Sequence, residues 1–101
     1  MRIALVQQKA TSDKAANVER GLQAVDEAAA AGARLVCFAE LAFERFYPQW
    51  PAGAGVLALA EPVPGPLTRT FARKAREHGV VIVLNLYERD GDKAYDCSPV
   101  I

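Results

Sequence analysis

The run Arg34-Leu-Val-Cys-Phe-Ala-Glu40 is apolar until it ends in a carboxylate, and the rest of the sequence is organised around it. Apolar residues at successive positions are typical of a central strand in a parallel sheet. Open α/β sheets place their chemistry where such strands give way to loops. The next segment, Leu41–Gln49, is rich in aromatic rings. We expect these rings to desolvate Glu40 and raise its pKa toward the range of a general base, which makes Glu40 the candidate catalytic residue.

The hydrophobic pattern on either side predicts an α/β fold. A strand that fits a buried position is predicted over Arg2–Gln7, and a helix over Lys14–Ala31 that is capped by Ser12 or Asp13 and closed by Gly32. With the strand before Glu40 they form a right-handed βαβ unit. The later predicted elements are an irregular segment at Phe43–Gly65, a helix at Pro66–Glu77 ended by Gly79, a strand at Val80–Leu84 continuing toward Arg89, a turn at Asp90–Asp92, and a fourth strand at Ala94–Ile101.

Composition limits the function. Twelve basic residues balance twelve acidic ones, so the sequence predicts no attraction to nucleic acid or to an anionic membrane. The start of the chain lacks a signal-peptide pattern and no apolar run could span a bilayer, so we expect a cytoplasmic location. The apolar end, Pro99-Val-Ile101, has no cap. We therefore expect residues 1–101 to be the N-terminal part of a single larger domain.

The order of these elements resembles the nitrilase, or carbon–nitrogen hydrolase, superfamily. The matching motifs are Ile3-Ala-Leu-Val-Gln7, Gly32-Ala-Arg-Leu-Val-Cys-Phe-Ala-Glu-Leu41, Phe46-Tyr-Pro-Gln49, Pro64-Gly-Pro66, Glu77-His-Gly-Val-Val-Ile-Val83 and Tyr95-Asp-Cys-Ser-Pro-Val-Ile101. The Phe46–Gln49 motif and the Glu61–Pro66 lead-in resemble the N-carbamoyl amine and N-carbamoyl amino-acid amidohydrolases more than the true nitrilases.

The resemblance implies that the chain is the N-terminal portion of a four-layer αββα sandwich. It also implies a Glu-Lys-Cys mechanism without a metal or organic cofactor, acting on a small linear amide or N-carbamoyl substrate in a homo-oligomer. Glu40 matches the base, and Phe46 and Tyr47 match positions near the substrate. The lysine and the nucleophilic cysteine of the family cannot be assigned to this chain, so we expect the fragment alone to be inactive.

Two positions depart from the pattern of the family. Ala39 replaces the proline that usually precedes the base, so the strand exit is expected to be less rigid. Asp96 replaces the usual asparagine and puts a charge near the start of the last strand. Neither change removes the base.

Other reactive residues have simpler interpretations. Cys37 lies in the middle of a strand, and Cys97 follows Asp96, whose charge disfavours a thiolate, so both are interpreted as structural. His78 precedes Gly79, has no evident acid or thiol neighbour, and is interpreted as a helix C-terminal cap. Rings at Phe43, Phe46, Tyr47 and Trp50 could line a pocket or cover the core.

Two other functions stay open. One is a non-catalytic truncated or split fragment that acts through a complementary chain. The other is a Rossmann-like binding module, which the lack of GxGxxG and P-loop motifs disfavours.

Overall fold

A computed structural model describes residues 1–53 and 55–101. Its elements are β1 Ile3–Val6, α1 Lys14–Ala30, β2 Leu35–Phe38, α2 Pro66–His78, β3 Val81–Val83, β4 Leu86–Asp90 and β5 Lys93–Cys97, with short 3₁₀ turns at Tyr47–Gln49 and Val56–Leu59. The first three strands form a parallel sheet in the order β1-β2-β3, with Val36 opposite both Ala4 and Ile82. The prediction that β2 is the central strand is therefore confirmed.

Capping residues, glycine and proline mark the ends of the two helices. The Asp13 carboxylate accepts a hydrogen bond from the backbone N–H of Ala16 at 3.0 Å and caps the start of α1. Gly32 and Gly79 have φ angles of +86° and +61°, so glycine at these positions lets the chain leave each helix without steric cost. Pro66 begins α2 as predicted, because the first helical position needs no N–H donor.

Three phenylalanine rings form the centre of the core. Phe38 of β2, Phe43 of the following segment and Phe71 of α2 have ring centroids 5.0–5.4 Å apart. All three side chains are buried. A Cβ atom added at Gly21 of α1 would lie 2.7 Å from Phe43, so the missing side chain lets the helix approach the rings. This packing fixes the segment after Glu40 against both helices.

The two helices cover only one face of the parallel sheet. Val36, Phe38 and Ile82 point into the core under the helices, whereas Leu5 is 81% exposed on the opposite face. Ile3 and Val81 are also exposed there. The expectation of a buried first strand is therefore wrong, because β1 lies at the sheet edge and alternate side chains of a strand point to opposite faces.

The C-terminal part differs from the predicted continuous strands. The third strand ends at Val83, and β4 pairs with β5 as a separate antiparallel hairpin. The last strand ends at Cys97, because Pro99 has no N–H to continue a ladder. The chain then returns to the parallel sheet, where Ile101 and Ile82 exchange two backbone hydrogen bonds of 2.9 Å.

Across residues 1–53 and 55–101, neither helix combines the length and the apolar character that crossing a membrane requires.

Candidate active site

Glu40 lies directly after β2, at the carboxyl end of the central strand. Its side chain is exposed rather than enclosed by rings. The pKa of Glu40 is nevertheless raised, first by a hydrogen bond with the Asp96 carboxyl group, then by partial loss of hydration and by the charge of Asp96. The predicted direction of the pKa shift is therefore confirmed, but the predicted cause is wrong. A second acid on the neighbouring hairpin, and not the aromatic segment, is the main cause.

A strained residue follows Glu40. Leu41 has a φ angle of +49°, which is uncommon for a residue with a branched side chain. Its side chain is buried, and its backbone N–H donates a hydrogen bond of 2.8 Å to the side-chain oxygen of Asn85. The sharp turn sends the Leu41 side chain into the core and leaves Glu40 at the surface.

Asn85 joins this turn to the hairpin. Its side-chain nitrogen donates to Asp96 Oδ1 at 2.7 Å and to Ser98 Oγ at 3.0 Å. One amide group therefore connects the backbone next to Glu40 with Asp96, the acid that raises the pKa of Glu40. Asn85 was not among the residues predicted for the site, although a polar residue between Leu84 and Leu86 indicates that the apolar strand is interrupted.

Asn17 holds the same segment from the helix side. It is fully buried, and its side-chain nitrogen donates to the carbonyl oxygens of Phe43 at 3.0 Å and of Thr11 at 2.8 Å. Its side-chain oxygen accepts from the backbone N–H of Thr11 at 2.8 Å. Because every polar atom of this amide is used, it fixes the loop before α1 to the loop after Glu40. Asn17 was also not among the residues predicted for the site.

Lys14 forms a further anchor. Its ammonium group lies 2.7 Å from carboxylate oxygens of both Glu44 and Glu61. Burial opposes the charge of Lys14, but the hydrogen bonds that its ammonium group donates to the two carboxylates outweigh this effect, and the pKa of Lys14 is raised. Lys14 is therefore a structural cation that ties α1 to two loops.

The two predicted substrate-binding residues lie in adjacent depressions. Phe46 is 45% exposed and lines an open groove of about 480 Å³ with Glu40. Tyr47 lines a neighbouring depression of about 320 Å³ with Tyr87 and Asp96. Leu41 borders both depressions. Glu40, Phe46 and Tyr47 thus surround one turn without sharing one cavity.

Tyr47 presents an unused polar atom in this region. Its hydroxyl is buried, with no hydrogen-bond partner in the part of the chain that the structure describes. Burial, followed by the neighbouring Tyr87 and nearby acids, raises the pKa of Tyr47 to about 12. The hydroxyl is therefore protonated at neutral pH and can serve as a donor.

The other two aromatic residues of this segment do not share this position. The side chain of Phe43 belongs to the core, and Trp50 is 69% exposed.

The cysteines lack the setting of a nucleophile. Cys37 lies within β2, and its thiol donates to the Phe38 carbonyl at 3.7 Å. Burial, then Glu88, and only then Asp96 raise the pKa of Cys97, so the expected effect of Asp96 is present but minor. Both residues fit the structural interpretation.

His78 has an acidic neighbour that the sequence did not reveal. Its Nε2 lies 2.6 Å from Asp26 Oδ1, so the expectation of no acid nearby is wrong. The two residues belong to different helices, α1 and α2, which are in contact here. Asp26, Glu77 and His78 could together contribute metal-ligand atoms within 4.8 Å of one another, but the Lys74 ammonium lies 2.7 Å from Asp26. A cation already occupies the position that a metal ion would need.

The sequence of the chain matches known proteins. The sequence profile named carbon–nitrogen hydrolase matches residues 2–101. The chain belongs to the carbon–nitrogen hydrolase family. A nitrilase from Paraburkholderia phymatum is 36% identical over 82% of this chain and 27% of its own length. A hydrolase from Mycobacterium tuberculosis is 37% identical over 91% of this chain and 31% of its own length.

Solved structures confirm the predicted α/β nitrilase-type fold. A carbon–nitrogen hydrolase from Helicobacter pylori G27 superposes with a TM-score of 0.85 at 18% identity, over 97% of this chain and 34% of its own. A mutant amidase from Nesterenkonia sp. AN1, in complex with butyramide, gives a TM-score of 0.74 at 24% identity, over 99% and 38%. This carbon–nitrogen hydrolase chain thus spans about a third of the length of the proteins it matches.

Proposed function

We propose that the chain supplies the general base, Glu40, to a carbon–nitrogen hydrolase that cleaves a small linear amide or N-carbamoyl compound. In this proposal residues 1–101 form the N-terminal part of one larger catalytic domain, and the lysine and cysteine of the Glu-Lys-Cys mechanism come from the rest of it. The family membership and the one-third coverage of the relatives support this arrangement.

The position of Glu40 carries the proposal. It is a carboxylate at the carboxyl end of the central parallel strand, on a turn fixed by Asn85 and by the burial of Leu41. Its raised pKa brings proton uptake closer to neutral pH than for an ordinary glutamate. A base must be held in place and must have a suitable pKa: the turn fixes the position of Glu40, and Asp96 raises its pKa.

The chemistry would proceed in two halves. Glu40 takes the proton of the cysteine thiol, and the thiolate attacks the amide carbon while the lysine ammonium stabilises the developing oxyanion. Glu40 returns the proton to the leaving nitrogen, which departs as ammonia or an amine. Water then attacks the thioester and gives a proton to Glu40. The thiol is regenerated when the acid leaves.

The groove beside Glu40 has room for a small substrate. In this proposal Phe46 offers an apolar contact there, and Tyr47 contacts the substrate from the neighbouring depression. A mutant amidase with a similar fold forms a complex with butyramide, which supports a short linear amide as the substrate class in this proposal. The N-carbamoyl preference, a homo-oligomeric assembly and a cytoplasmic location stay predictions from the resemblance.

The decisive experiment replaces Glu40 with Gln in the longest natural form of the protein. Hydrolysis of butyramide and of an N-carbamoyl amine is followed by release of ammonia. We expect kcat to fall by about 10²–10⁴-fold, because general base catalysis contributes that much. The control is Glu27→Gln on the exposed face of α1, which should leave kcat unchanged. Near wild-type activity of Glu40→Gln would show that Glu40 is not the base.

A non-catalytic role is the second candidate for the isolated chain. The Glu40 groove is lined by no cysteine in the part of the chain that the structure describes. The same ammonia assay on residues 1–101 alone tests this, and we expect no turnover. Recovery of turnover on adding a separately expressed complementary chain would identify a split enzyme.

A further inference from the structure

A depression rich in aromatic rings lies beside the Glu40 groove, and Leu41 borders both. Its volume is about 320 Å³. Its lining combines three aromatic residues with one acid and is otherwise aliphatic: Tyr47, Trp50 and Tyr87 supply the rings, and Asp96 is the acid. No lysine, arginine or histidine from the described part of the chain lines it. We call this site the aromatic depression.

The hairpin forms one wall of the aromatic depression. Tyr87 of β4 and Asp96 of β5 are direct partners in the antiparallel pairing of the two strands. Directly paired residues place their side chains on the same face of a hairpin, with Cβ atoms about 4.5–5.5 Å apart. The Asn85 side chain also donates a hydrogen bond of 2.7 Å to Asp96 Oδ1. The register of the strands therefore holds an acid next to a ring, and Asn85 orients the acid.

The segment after Glu40 forms the opposite wall. The Tyr47 ring centroid lies 6.0 Å from that of Tyr87, so the two walls meet through their rings. The backbone N–H of Trp50 donates to the Tyr47 carbonyl oxygen at 3.0 Å and closes the short turn that contains Pro48. This turn brings Trp50 to the same depression, where its side chain is 69% exposed. Much of this ring is therefore available to a ligand.

The chemistry of these walls suits an organic cation. The face of an aromatic ring attracts a cation that lies within about 6 Å of the ring centroid, and tryptophan attracts it most strongly. A cation seated beside Tyr47 and Tyr87 can lie within this distance of both rings. A metal ion requires several charged or carbonyl oxygens, whereas this depression offers one acidic side chain. Ammonium groups that carry alkyl substituents, in contrast, are recognised by clustered aromatic rings.

The distribution of charge favours a cation here rather than in the neighbouring groove. Lys9 and Arg45 line the groove of Glu40 and do not line the aromatic depression. Asp96 takes part in none of the ion pairs that the described residues form. The aromatic depression thus contains an acid for which the protein supplies no cation.

We propose that the aromatic depression binds a small organic ammonium ion, with the three rings as its walls and Asp96 as its counterion. This binding site goes beyond the proposed function and does not depend on it, since binding needs no catalytic step. The ammonium group belongs either to the far end of an amide substrate that reaches past Leu41 to Glu40, or to a separate ligand. A kinetic test distinguishes these two sources.

The first test measures binding of tetramethylammonium to this chain. Trp50 is the only tryptophan of the 101 residues, so the intrinsic fluorescence reports on the aromatic depression directly. We expect a saturable change with tetramethylammonium chloride at constant ionic strength, and at least about tenfold weaker binding of tert-butanol, a neutral molecule of similar shape. No saturable change, or equal binding of the two probes, would overturn the proposal. This comparison uses the unmodified chain and is independent of the folding of any variant.

The second test uses variants that keep Trp50 as the reporter. Tyr87→Leu and Asp96→Asn should each raise the Kd of tetramethylammonium roughly 2- to 30-fold. The matched controls are Tyr95→Leu and Asp92→Asn. Tyr95 precedes Asp96 on β5, so its side chain points to the other face of the hairpin, and Asp92 is exposed in the turn. Unchanged affinity in Asp96→Asn, or an equal loss in the controls, would contradict the assigned site.

The kinetic test identifies the source of the ammonium group. In the longest natural form, kcat/KM is compared for an ω-amino amide and for the neutral amide in which a methyl group replaces the ammonium group. If the substrate carries the cation, the amino amide should react about tenfold better, and Asp96→Asn should remove this preference. The ratio of the two values cancels any effect of Asp96 on Glu40.

The remaining outcomes are also decisive. Equal reaction of the two amides, with tetramethylammonium still bound, would identify a separate ligand. A preference for the amino amide that survives Asp96→Asn would show that the ammonium group binds elsewhere. Failure of the proposed function is recognised independently, because an active Glu40→Gln enzyme leaves the binding of tetramethylammonium unaffected.

Discussion

The side-chain oxygen of Asn85 lies 2.8 Å from the backbone nitrogen of Leu41 and accepts its N–H. This bond joins the end of β2 to the chain between β3 and β4, which belong to different sheets. It also compensates for the unusual backbone of Leu41, whose φ angle is +49°. Strained residues of this kind persist where surrounding contacts fix them, and here the residue follows the candidate base.

Replacing Asn85 with Ala should therefore destabilise the chain. The Leu41 N–H would lose its acceptor, and a partly buried donor without a partner costs about 1–3 kcal/mol. We expect the free energy of unfolding, measured by urea denaturation, to fall by about 1–2 kcal/mol on the basis of the same rule. Ser98→Ala is the control, because it removes only the exposed hydrogen bond between Asn85 and Ser98 and should change stability by at most about 0.5 kcal/mol. Equal effects of both substitutions would contradict the role of the Leu41 bond.

Gly21 offers a test of core packing around the same segment. An added Cβ would meet Phe43 at 2.7 Å and both Phe38 and Phe71 at 3.3 Å. Overpacking of this kind costs about 1–3 kcal/mol, whereas alanine in a helix gains up to about 1 kcal/mol over glycine. We therefore expect Gly21→Ala to lower the free energy of unfolding in urea by up to about 2 kcal/mol, the difference of these two effects.

The control for this change is Gln23→Ala, on the exposed side of the same helix. It tests helix propensity without touching the rings and should change stability by no more than about 0.5 kcal/mol. A gain in stability for Gly21→Ala would mean that the three rings shift readily and that the core is looser than the close contacts indicate.

The sequence predicted the elements that depend on local signals. Asp13, Pro66 and Gly79 mark helix ends through capping and backbone geometry, and the structure confirms each of them. The central position of β2 followed from its apolar character on both faces. The exposed first strand could not be predicted in this way, because its burial depends on what covers the opposite face of the sheet.

The site was predictable only in part, because it also depends on contacts between elements that are far apart in sequence. Glu40 was recognisable from its place after an apolar strand, but its raised pKa comes from Asp96, which is distant in sequence and adjacent in space. Asn85 was hidden because an apolar run around it resembled one continuous strand. Contacts between elements that are far apart in sequence leave no periodic pattern, and the pair of His78 and Asp26 is another example.

The contact between α1 and α2 predicts a pH-dependent stability. Asp26 accepts hydrogen bonds from Lys74 at 2.7 Å and from His78 at 2.6 Å, and these bonds, the Lys74 one first, lower the pKa of Asp26. A carboxyl group with a lowered pKa in the folded state stabilises that state above its unfolded pKa, and this stabilisation is lost as the pH falls through the folded pKa. The loss should therefore occur below the ordinary Asp value of 3.8.

Asp26→Asn should remove this pH-dependent contribution. Because the Asp26 side chain is 44% exposed, solvent screens the ion pair, and we expect a loss of about 0.2–1 kcal/mol in the free energy of unfolding at pH 7. The difference between variant and unmodified chain should shrink as urea denaturation is repeated at pH values progressively below 3.8. Glu27→Gln, which removes a neighbouring exposed charge, should show no such dependence. A deficit of Asp26→Asn that stays constant with pH would indicate lost packing between the helices instead of a lost charge.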